Sequence, residues 1–226
     1  MQRSPHHAPR VLSPSVGPGR RAGLALLLLA WGAPAIAQET LRSSFPGRRI
    51  GGATRGECSS RLIVHLVPPS SVVAPGSAGI GLLQGPSAEP APLTVELRPL
   101  GRGGQMDRTL PPLQQRTLPP QPIGVTLLPL ATVTRSVVWE SSYVCGTAPA
   151  AAPAADPLQF VEAVSPPAIS LLIAAGGAED LRVQAALREL RRACGGTVAT
   201  ADLARTFALQ DVVRSDWPSR LPVRCP

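Results

Sequence analysis

The chain has 226 residues and a formal net charge of +8, with 22 basic residues, all arginine, against 14 acids, and with 27 prolines and 21 glycines. Aromatics make up only 3% of it, which excludes the stacking platform of exposed rings that single-stranded nucleic acid requires. An even set of four cysteines with no CxxC pair, and histidines confined to His6, His7 and His65, argue against a zinc centre.

Residues 1–21 hold four arginines and no acid, and the apolar run "AGLALLLLAWGAPAIAQ" follows. The apolar core before Pro34 spans residues 22–33, short of the ~20 residues a membrane-spanning helix needs. With Ala35 and Ala37 at the −3 and −1 positions, this predicts a secretory signal peptide, residues 1–37, cut after Ala37. The general secretory route fits better than a twin-arginine one, because "RRAGLAL" lacks the usual flanking residues. No cysteine follows the cut to carry a lipid. The expected product is periplasmic or secreted, with no transmembrane span after cleavage. Losing four arginines and no acid, it has 189 residues and a charge of +4. A lysine-free chain rich in Ala, Gly, Pro and Arg is what a GC-rich genome writes, so its arginine content alone says little about ligands.

The stretch "GRRIGGATRGEC", residues 47–58, admits several readings. Gly47 and Gly52 have phosphate-loop spacing, but Ala53 occupies the position of the phosphate-binding lysine. The segment Arg49-Ile50-Gly51-Gly52 is similar to the cleavage point of trypsin-like zymogens. A serine protease also needs a base, an orienting acid and a nucleophile, and no GDSGG follows. What remains is a backbone role: Gly51, Gly52 and Gly56 permit a tight or positive-φ path into the first strand. Arg48, Arg49, Arg55 and Arg61 are candidate contacts to an anionic polymer or lipid. Against that, Glu39 and Glu57 nearby favour a solvated charge run.

Residues 61–67, "RLIVHLV", predict a buried strand stopped by Pro68 and Pro69, with His65 as a packed core or edge residue. Further strands are expected at 78–85, 93–98, 123–130 and 135–145. In the last, Val137, Trp139, Tyr143 and Cys145 share one face, with Glu140 and Ser142 on the other. Glu57 and Glu140 stand at strand ends and read as solvated. Residues 101–122 contain "RTLPP" twice and read as a loop, although spaced prolines could also serve polyproline-II recognition.

Residues 147–156 are an Ala/Pro linker. Beyond it the pattern turns helical: after Asp156-Pro157, at "GAEDLRVQAALRELRRACGG", and at "ADLARTFAL" with Thr200 as its cap. The expected fold is α+β: an antiparallel β-sandwich, Ig-like in general shape, over residues 45–146, then a small helical domain, 157–226, with an extended tail.

In an oxidising compartment Cys58, Cys145, Cys194 and Cys225 predict disulfides. Cys58 precedes the first sandwich strand and Cys145 ends the last, while Cys194 closes a helix and Cys225 ends the tail. Pairing within each unit gives Cys58–Cys145 and Cys194–Cys225.

Residues 47–58, the strand ending "LVP" and the stretch "VVWESSYVC" together resemble an uncharacterised exported family common in cyanobacteria. Its members open with a GRRxGGGTRGxC-type motif and later carry an aromatic-rich strand ending in cysteine. The resemblance covers residues 46–146, with Ala53 in place of a glycine and few aromatics in the middle strands. It implies an envelope or secreted protein, and the family has no established activity.

Together these features point to an exported, non-enzymatic interaction or structural module of the cell envelope. Its expected partner is an envelope protein or an anionic surface polymer, not nucleic acid. No catalytic residue, cofactor or metal is assigned. An arginine-based binder of anionic envelope polymer or lipid is one rival. A hydrolase is the other, and it would need paired carboxylates or a nucleophile–base pair.

Overall fold

Strand patterning along the chain resolves into two facing sheets in the computed structural model, which describes residues 42, 44–52, 61–76, 78–101, 103–130, 133–144 and 166–226. The strands are β1 (Ile50–Gly51), β2 (Ile63–His65), β3 (Val72–Val73), β4 (Ile80–Gln84), β5 (Leu93–Pro99), β6 (Gln114–Leu118), β7 (Gly124–Leu128), β8 (Val137–Tyr143), β9 (Ala168–Leu172), β10 (Thr197–Ala199) and β11 (Arg220–Arg224). Two helices, α1 (Ala178–Arg192) and α2 (Thr200–Thr206), complete the described elements. The fold is α+β, with a sandwich-like arrangement of sheets.

The first sheet has strand order β1-β2-β4-β7-β11-β10 and the second β3-β9-β8-β5-β6. Most pairs are antiparallel, but β11 runs parallel to β7 and β9 parallel to β3. The predicted strands at 61–67, 78–85, 93–98, 123–130 and 135–145 correspond to β2, β4, β5, β7 and β8.

Register fixes which faces meet. Ile63 pairs Gln84, His65 pairs Leu82, and Leu82 pairs Thr126, so these share the inner face of the first sheet. On the second sheet Val95 pairs Ser141, Leu97 pairs Trp139, and Trp139 pairs Ser170. Their contacts with His65 make this the opposing inner face. One continuous core spans both sheets and the helices. A smaller cluster of Val72, Ala74, Val138, Leu171 and Ile173 lies on the outer face of the second sheet, beneath Phe45, Leu100 and Met106.

Helix α1 covers the outer face of the first sheet. Its stripe of Val183, Leu187 and Leu190 is buried, and a Cβ on Gly81 would stand 2.7 Å from Leu187 Cδ2. Burying a leucine such as Leu187 contributes roughly 1.5–3 kcal/mol. The helix starts at Gly177, whose N–H donates to the Asp180 carboxylate at 2.7 Å. Glu179 and Asp180 in the first turn and Arg191 and Arg192 in the last complement the helix dipole. Asp180 is buried, and it also accepts the Ala74 N–H at 3.1 Å and pairs with Arg42.

The described part of the expected helical domain, residues 166–226, is not a separate body. The described residues from 42 to 226 belong to one compact unit. The apolar run "AISLLIAA" supplies β9, seated between β3 and β8, while the tail supplies β11, seated between β7 and β10. A strand flanked on both sides is held by two hydrogen-bond ladders, so the tail is part of the framework. Three smaller readings also change. Residues 114–118, expected in a loop and including much of the second "RTLPP", form β6 against β5. Thr200 is the first residue of α2 and not its cap, its hydroxyl donating to Pro218 O. Residues 51 and 52 do play the expected backbone part. Gly52 has φ +84°, and a Cβ on Gly51 would meet the Ala168 and Pro166 backbone.

Cys194 and Cys225 are disulfide-bonded, with Cα atoms 5.8 Å apart. The predicted Cys58–Cys145 pairing, the signal peptide, the 147–156 linker and the helix after Pro157 lie outside the described residues.

Candidate functional site

His65 stands on the inner face of β2, where the alternation of Ile63 and His65 points both at the second sheet. Its Nδ1 lies 2.8 Å from Ser170 Oγ and its Nε2 2.9 Å from Ser141 Oγ. The ring stacks on Trp139, with centroids 3.5 Å apart and planes within 7°. The Trp139 indole N–H donates to Ser141 Oγ at 3.0 Å. All four side chains have 0% exposure. Burial holds the His65 imidazole well below its usual range, so it is neutral, with one ring nitrogen donating and the other accepting.

A serine–histidine contact is half of a nucleophile–base pair, and sequence reasoning did not find it: Ser141 and Ser170 lie 76 and 105 residues from His65. The chemistry needs an open position beside the hydroxyl for a substrate carbonyl and its oxyanion donors. Here Trp139 covers one face of the ring and the sheets close over the hydroxyls. This arrangement bonds the sheets together through a satisfied polar cluster.

A second polar group lies at one end of the inter-sheet space. Arg61 is 2% exposed, donates from Nε to Gly85 O at 2.8 Å and from Nη1 to Gln121 O, and places its guanidinium 5.8 Å from the Tyr143 ring centroid. Arg224 donates from Nη2 to Ile123 O at 3.1 Å. Burial pushes the Tyr143 phenol up, tempered by the Arg61 charge and by a hydrogen bond with Gln84. Burial lowers both arginines, and for Arg224 the neighbouring Arg61 charge lowers it further.

The outer face of the second sheet carries a charge ladder. Glu96 and Glu140 are cross-strand partners. Arg98 Nε lies 2.7 Å from Glu96 and 3.9 Å from Glu140, and Arg108 donates to Glu140 at 2.9 Å. Glu140, read from the sequence as solvated, is therefore nearly buried between two arginines. Paired carboxylates do occur, each with a guanidinium beside it.

The arginines expected to form an anion surface point in different directions. Arg49 donates to Val67 O, Phe207 O and Ala208 O, which caps the end of α2. Arg61 is buried, Arg48 is exposed, and Arg55 lies outside the described residues. A groove of about 430 Å³ opens between α1 and α2, floored by Ala186, Leu190, Val198, Leu203 and Phe207 and flanked by Glu189 and Asp202. Among the described residues no cluster of His, Cys, Asp and Glu is arranged to hold a metal ion, and no helix is long and apolar enough to cross a membrane.

Comparison with family models, with curated proteins and with solved structures gives no match to this chain.

Proposed function

We propose that the protein is an exported, non-enzymatic interaction or structural module of the cell envelope. The observation that carries this reading is the state of His65, the one histidine beyond the leader: both ring nitrogens and one ring face are engaged inside a core of zero exposure. A base held there supports the sandwich and meets no substrate. The basic, apolar and small-residue pattern of residues 1–37 supports export, and the Cys194–Cys225 bond suits an oxidising compartment.

Fractionation of cells producing the tagged protein, followed by crosslinking and mass analysis, tests this. The expected product begins at Gln38, sits outside the cytoplasm, and keeps an envelope protein partner through a wash at about 1 M salt, where the Debye length is ~3 Å. A partner that is an anionic polymer or lipid and is lost in that wash would favour the arginine-based reading. An intact N-terminus in the cytoplasm would overturn export.

A further inference from the structure

Arg61 Nη2, Arg224 Nη1 and Thr126 Oγ1, all buried at one end of the inter-sheet space, have no hydrogen-bond partner among the described residues, and the buried Gln84 amide shares this face. They belong to one neighbourhood. Thr126 is the register partner of Arg224, and Gly124, two residues before Thr126 on the same face, pairs with Gln84. A Cβ on Gly124 would stand 2.9 Å from Arg224 Nη1, so the missing side chain leaves the space this guanidinium uses. From the other side Arg61 reaches Gly85 O, next to Gln84. The two guanidiniums also hang on one loop, through Gln121 O and Ile123 O, which lie within about 7 Å of each other by chain length.

The charge is as unbalanced as the hydrogen bonding. None of the ion pairs among the described residues involves Arg61 or Arg224. A guanidinium taken out of water needs an opposite charge, and a second one beside it raises the cost. Water would satisfy the donors but bring no negative charge to the buried Arg61 and the half-buried Arg224, which have no acid paired with them among the described residues. A tetrahedral anion does both, since its oxygens accept from several directions and guanidinium–oxyanion hydrogen bonds are among the strong ones.

We propose that this corner binds one small inorganic oxyanion of the sulfate or phosphate class, held between Arg61 and Arg224 with the Thr126 hydroxyl as third donor. The anion is an internal counter-charge joining the β6–β7 loop to the last strand, and its site is distinct from any surface arginine patch.

Equilibrium dialysis of the folded exported protein against radiolabelled sulfate, in gluconate buffer at constant ionic strength, tests this. The expected result is saturable binding of one sulfate per chain, competed by inorganic phosphate. Arg224→Met should weaken it at least about tenfold, the value of one charge-assisted hydrogen bond, while Arg224→Lys retains part of it. Thr126→Val, which keeps the shape and both arginines, should weaken it severalfold and serves if the arginine variants do not fold. No saturable binding by the wild-type protein overturns the proposal, as does binding that folded Arg224→Met or Thr126→Val leaves unchanged.

Discussion

His65 and Trp139 lie face to face across the two sheets, ring centroids 3.5 Å apart, with no solvent reaching either ring. Stacking at this distance, with both imidazole nitrogens bonded to serines, makes His65 a fixed part of the core and gives it a measurable pH signature.

Burial places the folded-state pKa of His65 well below its ordinary value of 6.5. The unfolded chain therefore binds a proton that the folded chain does not, once the pH falls below about 6.5. Stability is expected to be full above that pH and to fall by about 1.4 kcal/mol per unit below it. Urea midpoints at pH 7 and pH 5 should show this loss. His65→Phe, which keeps a ring against Trp139, should be less stable at pH 7 and should lose the pH dependence. An unchanged slope in that variant would mean that another group is responsible.

Cys225→Ser should destabilise the whole molecule. The bond closes a separation of 31 residues, worth roughly 3–4 kcal/mol on the chain-entropy model. Because Cys225 directly follows a strand flanked by β7 and β10, the loss should appear as one cooperative shift and not as local loosening at the C-terminus. Near- and far-ultraviolet circular dichroism should report the same lowered midpoint. Two separated transitions would contradict the placement of β11.

A protease site engineered within 147–156 provides a second test of the shared sheets. Since β9 and β11 lie in the interiors of sheets completed by the N-terminal strands, the two fragments should co-elute after cleavage and separate only in denaturant. Fragments that part under native conditions would restore the two-domain reading.

Gly81→Ala should cost about 1–3 kcal/mol, because the new methyl would stand 2.7 Å from Leu187 Cδ2 and 3.0 Å from Leu66 Cδ1 in a packed layer. Adding Leu187→Ala should recover part of that loss by making room, as a double-mutant cycle would show. Strict additivity would mean that α1 does not pack on β4.

Much of the sandwich was legible because β4, β5, β7 and β8 are bounded by turn residues, with β5 alternating cleanly. Helix α1 was legible from its acidic start, basic end and following glycines. What escaped lacked a local signal. The edge strand β6 is "QQRTL", largely exposed, so no apolar period marks it. The two parallel pairings join residues about a hundred positions apart, and no short-range pattern announces them. That is why β9 read as a short apolar run and β11 as a loose tail. His65 was readable as a core residue from its apolar neighbours, but its serine partners were not. Arg61 and Glu140 were read as surface charges because charged residues are rarely buried, and each is buried here against carbonyls or arginines.

The account rests most heavily on the Ser141–His65–Ser170 cluster being framework and not a catalytic site. Fluorophosphonate treatment of the folded exported protein, followed by peptide mapping, tests this most directly. The account predicts no adduct on Ser141 or Ser170 while the sandwich is intact. A stoichiometric adduct on either serine, abolished by His65→Phe in a variant that still folds, would contradict it and establish a working nucleophile–base pair.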